Sequence, residues 1–550
     1  MSTQSEKSSI ERTSSRPSEQ KAADDTRVRL DTLDTVSVDD EAELARLGYK
    51  SEFAREFKSL STISFAFSIM GVASSAATTF NTPFLLGGPA SVVWCWFLGT
   101  LMCFCLGTAI AEIVSAYPTN GGLYSASAYL VPLKYRPIVG WVVGYLNCLG
   151  QVAGVASTEY GLAQMILTAA SLSTGGTFVA TPAQTYGLFA GLLCIHGMLN
   201  SLATKWLAKM TQFFVFINLG TVIAIIIALL ITTDNKHPAS YVFTHKINGS
   251  GWSSEGLVFL LGLLSVQWTM TDYDATAHIS EEVRRASYAA PVAIFIAVLG
   301  TGAFGWVYNI VYVLCSGDMA DYDGSIYAPA QIIFTNVGAK GFYVLWTGVC
   351  LTAFLVVQTA LQANARTFFA FSRDRGLPDR GLFARLASNR IPIWSVWLVV
   401  FISLLMGLLA FASYVAVGAI FALCAMALDT SYIIPIACKL IFRDHPEVQY
   451  RPGPFDLGRG LLGWAVPLIA IFWTSFVVII LALPTIVPVT KDNMNYASVV
   501  TGGVMIISLV WYYAGGRRHY KGPRNVLAEE HDAQIAASGA EFAGPGKPIH

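Results

Sequence analysis

A chain of 550 residues with 54% hydrophobic and 13% charged side chains is too apolar for a water-soluble globule and too long for a simple membrane anchor. At a mean hydropathy of +0.54 it reads as a polytopic membrane protein. Its 35 basic and 35 acidic residues cancel, which removes the basic footprint of a nucleic-acid binder. The nine cysteines lie in apolar runs with no C-x-x-C, so they read as packing residues and exclude a disulfide framework or zinc site.

Residues 1–60 contain no apolar stretch, so they read as a cytoplasmic tail without a cleavable signal, largely disordered. The end of that tail, "DEAELARLGYKSEFAREFKS" (40–59), reads as a short amphipathic helix before the membrane. Twelve spans then follow, at a crossing length of about 20 apolar residues. They are expected at 62–85, 90–115, 138–170, 184–203, 209–232, 256–280, 291–315, 341–370, 392–412, 414–440, 462–487 and 496–514. This divides the chain into a ten-helix core (61–440), two additional transmembrane helices (441–515) and a cytoplasmic C-terminal tail (516–550). With the amino terminus inside, the inner loops hold Lys134, Arg136, Lys205 and most of the arginines between Arg284 and Arg459. The outer loops hold only Lys236, Lys246, Lys340 and Lys491, so both termini are expected in the cytoplasm. Asn248 in "INGS", a glycosylation acceptor, then falls outside.

Two of the spans are interrupted. The first, "TISFAFSIMGVASSAATTFNTPFLLGGP", carries Gly71 and small or hydroxyl residues at its middle; the sixth carries "QWTMTDYD". Weak helix formers at matching positions of two five-span halves point to an inverted-repeat transporter whose broken helices meet near the midplane. There, freed amides and half-helix dipoles can bind a ligand carboxylate, and freed carbonyls an ammonium or cation. The other reading of Gly71, Ala73, Ser74 and Ser75 is close helix packing.

The buried carboxylates carry the rest of the argument, because one at membrane depth costs at least roughly 2.5 kcal/mol and must face protein, water or substrate. Thr271-x-x-Asp274 has capping-box spacing, so Asp274 reads first as a cap of the restarted half-helix beside the ligand cavity. His278 reads as a hydrogen-bonded helix residue, and Glu281, Glu282, Arg284 and Arg285 as a solvated cytoplasmic face or gate. Glu159, in "GVASTEYGLAQ", has no charged neighbour in sequence and no packing account, which makes it a candidate for substrate amine or a coupling proton. Asp429 in "CAMALDTSYIIP" reads as a helix–helix hydrogen-bonding residue and Glu112 as structural. Trp94 and Trp96 read as interfacial belt residues.

"AEIVSAYPTNGGLYSASAYL", "DYDATAHISEEVRRA" and "ARTFFAFSRDRGLP", in this order, resemble signatures of the amino acid-polyamine-organocation superfamily. Within it the chain is similar to the amino acid/choline transporter family with its fungal GABA and choline permeases; "VPVTKDNMNYASVV" and "RRHYKGP" look specifically fungal. The likeness runs from about Leu47 to Arg524. It implies an all-α LeuT-type fold of five plus five spans with helices 1 and 6 broken, two further helices, and secondary active uptake of a small amine or amino acid. It also implies that Gly71, Val72, Ala73, Ser74 and Ser75 face the substrate carboxylate, and that Trp268, Thr269, Met270, Thr271 and Asp272, with Tyr273 flanking, face the rest. The interior lysine that replaces a sodium in some proton-coupled relatives is not evident after Lys209.

The expectation is therefore a secondary transporter taking up a small amino acid or GABA-like amine by alternating access. The coupling ion expected is a proton, with Glu159 and Asp274 the candidates for holding it. Trp268 and Tyr273 do not make the aromatic cage that a quaternary ammonium favours. Alternatives are a choline or polyamine permease of the same fold, or a nutrient receptor that signals without transporting. No metal-ligand cluster, nucleophile elbow or phosphate loop is visible, which argues against an enzyme. No cofactor is called for, and the expected partners are the small-molecule substrate and the bilayer of the plasma membrane, or of the vacuole.

Overall fold

The structure, a computed structural model, describes residues 40–523 apart from Ser51, Asp323, Ala412, Ser413, Gln449, Lys491 and Asp492. The disorder expected of residues 1–39 and the tail beyond residue 523 lie outside the described residues.

Among the described residues, ten helices are long and apolar enough to cross a membrane. They are α1 (Ser59–Gly87), α2 (Pro89–Ala116), α3 (Arg136–Ser173), α5 (Thr204–Thr232), α7 (Ala286–Leu314), α8 (Ala328–Arg373), α9 (Ile393–Phe411), α10 (Gly418–Phe442), α11 (Leu461–Ala482) and α12 (Ala497–His519). The other two expected spans are α4 (Pro182–Asn200) and α6, which runs in three pieces, Glu255–Leu260, Leu263–Met270 and Ala275–His278. No piece of α6 spans a bilayer alone, because the weak helix formers that mark the break also divide the segment. α8 starts earlier than expected, at Ala328, and kinks at Gly338, whose φ of 80° leaves the helical region.

Helix pairing carries the repeat. α2 packs on α7 and α3 on α8, while the pairs α1–α7, α3–α10 and α3–α4 recur as α6–α2, α8–α5 and α8–α9. Adding five to each number, and counting on from one after ten, converts one set into the other. α11 lies against α10 and α2, and α12 against α10 and α3, outside this core. Small residues bring the paired helices close: a Cβ on Gly302 or Gly305 of α7 would meet Thr100 or Trp96 of α2 at 2.1 and 2.2 Å. This corrects the belt reading of Trp96, which is 1% exposed and donates its indole N–H to the Gly302 carbonyl. Trp94 stays exposed at the helix surface.

The segment before α1 also departs from expectation. Only residues 40–46 are helical. The remainder is an extended strap across the face from which α1 starts, here called the tail face. Phe57 bridges to Val283, its N–H donating to the Glu282 carbonyl and its own carbonyl accepting from the Arg284 N–H. Tyr49, Phe53 and Phe57 bury their rings there. Four-residue spacing suits an amphipathic helix, but it also keeps side chains on one side of an extended chain.

Candidate functional site

The first break lies at Gly71, which sits at φ 49°, ψ 54°, in the left-handed region that glycine enters without steric cost. Its second function is space, since a Cβ there would stand 2.1 Å from Val356 Cγ2 of α8. Beyond it the helix restarts at Val72, with the Ala73 N–H donated to Asn218 Oδ1 of α5 at 3.1 Å. The second break runs from Thr271, which leaves the helix in extended conformation, through Asp272 at φ 69°, to the restart at Ala275.

Between the two breaks lies a cavity of about 30 Å³, room for water but not for an amino acid. Ser75, Trp268, Thr269, Thr271 and Asp272 line it, so these predicted residues come together. Gly71, Val72, Ala73, Ser74, Met270 and Tyr273 are buried but do not line it. Asp272 Oδ1 has no hydrogen-bond partner among the described residues. The wall also includes Gln151, Gly154 and Thr158 of α3, Val356 and Ala360 of α8, and Cys424 and Leu428 of α10. Sequence reasoning missed these, although the helical spacing of Gln151, Gly154 and Thr158 marks one face of α3.

On the face opposite the tail, a vestibule of about 320 Å³ opens above the cavity, lined by Thr78, Asn81, Gln164, Tyr327, Phe421 and Asn495 among others. Trp268, from the cavity, and Phe421, from the vestibule, pack between the two with ring centroids 4.9 Å apart and planes tilted by 48°. The Trp268 indole is held by its N–H donating to Ser157 Oγ at 3.2 Å.

Asp274 does not cap. Its carboxylate makes no bond to the restarted helix's amides, and Thr271 Oγ1 is without a partner, which overturns the capping-box reading. Instead Asp274 Oδ1 accepts from the Tyr432 hydroxyl of α10 and Oδ2 from Asn147 Nδ2 of α3, both at 2.8 Å. His278 Nε2 lies 3.0 Å from the same Oδ2, and His278 Nδ1 lies 3.1 Å from the Asn120 carbonyl. A carbonyl oxygen only accepts, so Nδ1 carries hydrogen and the contact between Nε2 and the carboxylate is bridged by a proton. Without it, two lone pairs would face each other in a fully buried site. His278 is thus hydrogen-bonded, as expected, and forms one proton-holding unit with Asp274.

Glu159 has the same chemistry in another place. Its Oε2 is 2.7 Å from His196 Nδ1 of α4, and His196 Nε2 is 3.0 Å from the Phe354 carbonyl of α8. Both side chains are fully buried. The carboxylate does not line the central cavity: it is one residue past Thr158, and a helix turns by about 100° per residue. Its partner was not legible because His196 lies 37 residues away on another helix.

The tail side is shut. Arg366 Nε donates to Glu282 Oε1 at 2.7 Å and Arg373 Nη2 to Glu281 Oε1 at 3.0 Å. Both glutamates are buried and Arg284 half-buried, so the solvated-face reading holds for Arg285 alone of the four; the ion-paired cluster is here called the gate. Asp374 accepts from the hydroxyls of Tyr49, in the strap, and Tyr124, at 2.9 and 3.0 Å. Burial, with Asp374 beside it, pushes the Tyr49 hydroxyl well above its usual range and keeps it a donor. Hydrogen bonds connect cavity to gate: Gln151 to Asn147, Asn147 to Asp274, His278 to Asn120, and the Asn120 N–H to Glu281. Glu112 forms a buried ion pair with Lys439, in line with its structural reading.

Two discontinuous helices facing each other inside a five-plus-five repeat define a polytopic membrane permease, a class whose chemistry is translocation and not covalent catalysis. A family profile described as amino acid permease matches residues 57–506, and the chain belongs to that family. It is 44% identical to an amino-acid permease of Schizosaccharomyces pombe over 90% of this chain and 92% of the relative. It is 38% identical to amino-acid permease 2 of Neurospora crassa, covering 87% and 88%. It is 32% identical to the GABA-specific permease of Saccharomyces cerevisiae, covering 90% and 87%. The protein is accordingly an integral membrane transporter of amino acids and not an enzyme.

Proposed function

We propose that this permease takes up a small amino acid or GABA-like amine by alternating access, driven by protons, across the plasma membrane with both termini in the cytoplasm. The observation that carries the reading is the small cavity between the breaks of α1 and α6, closed by ion pairs on the tail face and separated by the Trp268–Phe421 pair from a vestibule on the other. Asp272, with an oxygen free inside that cavity, suits an ammonium group, and the positive end of the helix restarting at Val72 suits a carboxylate. A zwitterion supplies both. The Asp274–His278 and Glu159–His196 units are the candidates for holding the coupling proton, one bonded toward the gate and one in the scaffold. The basic residues of the tail-face loops support the cytoplasmic assignment of that face.

The test is uptake into proteoliposomes containing the purified protein under an imposed pH gradient. Labelled GABA is competed with choline, polyamines and the common amino acids. Accumulation that requires the gradient and is blocked by zwitterions supports the reading. Binding without any internal accumulation would make the protein a receptor, and competition by choline alone would overturn the zwitterion assignment.

A further inference from the structure

We infer that Asp429 of α10 is a further proton-binding carboxylate, whose protonation state controls the grip of α10 on the first half of α6. The inference rests on the proton-coupled reading above and assigns a role to a residue that reading does not use.

Asp429 is fully buried, and among the described residues its carboxylate bonds to an uncharged group: Oδ2 accepts from Gln267 Nε2 of α6 at 2.8 Å, while Oδ1 has no partner there. The Gln267 Oε1 in turn accepts from the Cys103 thiol of α2 at 3.5 Å. The titratable groups that face Asp429 are Cys103 on α2, Tyr273 on the α6 turn, and Cys424 and Tyr432 on its own helix. All are neutral when protonated, and Asp272 of the α6 turn shares Cys424 and Tyr432 with Asp429. α11 contains no titratable residue, and α3, packed on the same helix, brings Tyr145, Cys148, Tyr160 and a Glu159 already paired with His196. A carboxylate in such surroundings lacks the counter-charge that buried ions require, so the site favours the neutral acid whenever a proton can reach it.

Position makes that proton consequential. Asp429 and Tyr432 are three apart on α10 and therefore share a face. Asp429 holds Gln267, in the half of α6 before the break, and Tyr432 holds Asp274, just before the restart of the other half. α10 thus spans the break, with Asp429 on one half and Tyr432 on the other. The step is a simple transfer: a hydronium ion arriving from the vestibule gives its proton to Oδ1, leaving water, and the O–H bond later breaks to water on the tail side. The ionised form accepts more strongly from Gln267, so protonation loosens the first half of α6 and lets the halves move relative to each other.

The experiment compares wild type, Asp429→Asn and Asp429→Glu in proteoliposomes, measuring both pH-driven net accumulation and exchange of internal for external substrate. A gradient of about two pH units supports up to about hundredfold accumulation per coupled proton. Asparagine keeps an acceptor for Gln267 but cannot titrate. The expected result is exchange retained and insensitive to pH, with accumulation falling toward equal concentrations. A purely structural Asp429 predicts unchanged accumulation and an unchanged pH profile, and that result overturns the inference. Should Asp429→Asn lose both activities, Asp429→Glu decides: retained accumulation shows that a titratable acid is required, and its loss assigns the position to packing and refutes the proposal. Wild type failing to accumulate would sink the proton-coupled reading itself, and this inference with it.

Discussion

Replacing Gly71 with alanine tests the first break with one methyl group. Two costs are legible in the geometry. An L-residue held at φ 49° pays roughly 1–2 kcal/mol for the left-handed conformation. The new Cβ also starts 2.1 Å from Val356 Cγ2, and forcing a packed wall apart costs about 1–3 kcal/mol. Together they predict a loss of about 2–5 kcal/mol, enough to lower the thermal midpoint of the detergent-purified protein clearly and to cut initial uptake per molecule at the surface. Gly71→Leu, which must also place its side chain against the central cavity, is expected to abolish uptake. The two costs separate in a double mutant. Val356→Ala alone removes two buried methyl groups, about 1.5 kcal/mol, but in combination with Gly71→Ala it relieves the steric part and leaves only the backbone strain. The double variant is thus expected to be more stable than the sum of its parts by about 1–3 kcal/mol. Wild-type stability and transport in Gly71→Ala would show that the helix is not broken there, and strict additivity would show that Val356 is not the neighbour.

Three further outcomes are expected. In Asp274→Asn the new amide can donate to His278 Nε2 only by setting its N–H against that of Asn147, or accept from Asn147 only by facing an Nε2 lone pair, so one buried contact is lost at a cost of about 1–3 kcal/mol and surface expression is expected to fall; adding His278→Gln is expected to restore expression but not pH-driven accumulation, and full activity of Asp274→Asn would return the residue to a capping role. Glu159→Gln can still donate to His196 Nδ1, so the fold is expected to survive; vesicle uptake under a pH gradient then reads whether this pair carries the coupling proton, and undiminished accumulation removes it from the mechanism. Asn248 lies exposed on the face opposite the tail, so Asn248→Gln is expected to abolish a glycan-dependent mobility shift, while an epitope at either terminus stained on intact cells would reverse the orientation.

The breaks could be found in the sequence because they are local: glycine and hydroxyl residues at Gly71 to Ser75, and a polar run at Thr271 to Asp274, weaken a helix wherever they occur. The spans were legible for the same reason, since crossing length depends only on the segment itself. What a side chain touches is a different kind of information. Thr271-x-x-Asp274 satisfies capping-box spacing, yet Asn147 and Tyr432 from distant helices offer the carboxylate better donors than the nearby amides do. Glu159 stands in the correct helix but on the wrong side for the cavity, a matter of one residue's rotation that only the neighbouring helices define. The strap before α1 was misread because its apolar spacing fits two backbone conformations, and the choice is made by Val283, far along the chain.

That strap bears on how the transporter responds to temperature. If the tail face is to open, the Phe57 bridge, the two buried arginine–glutamate pairs and the tyrosine bonds to Asp374 must separate in one movement. Bonds broken together, without water to replace them until the gap has formed, make the step costly in enthalpy. Substrate entering from the vestibule meets the tilted rings of Trp268 and Phe421. Cooling is therefore expected to slow turnover much more steeply than it slows loading, leaving a cold protein that binds its cargo and holds it.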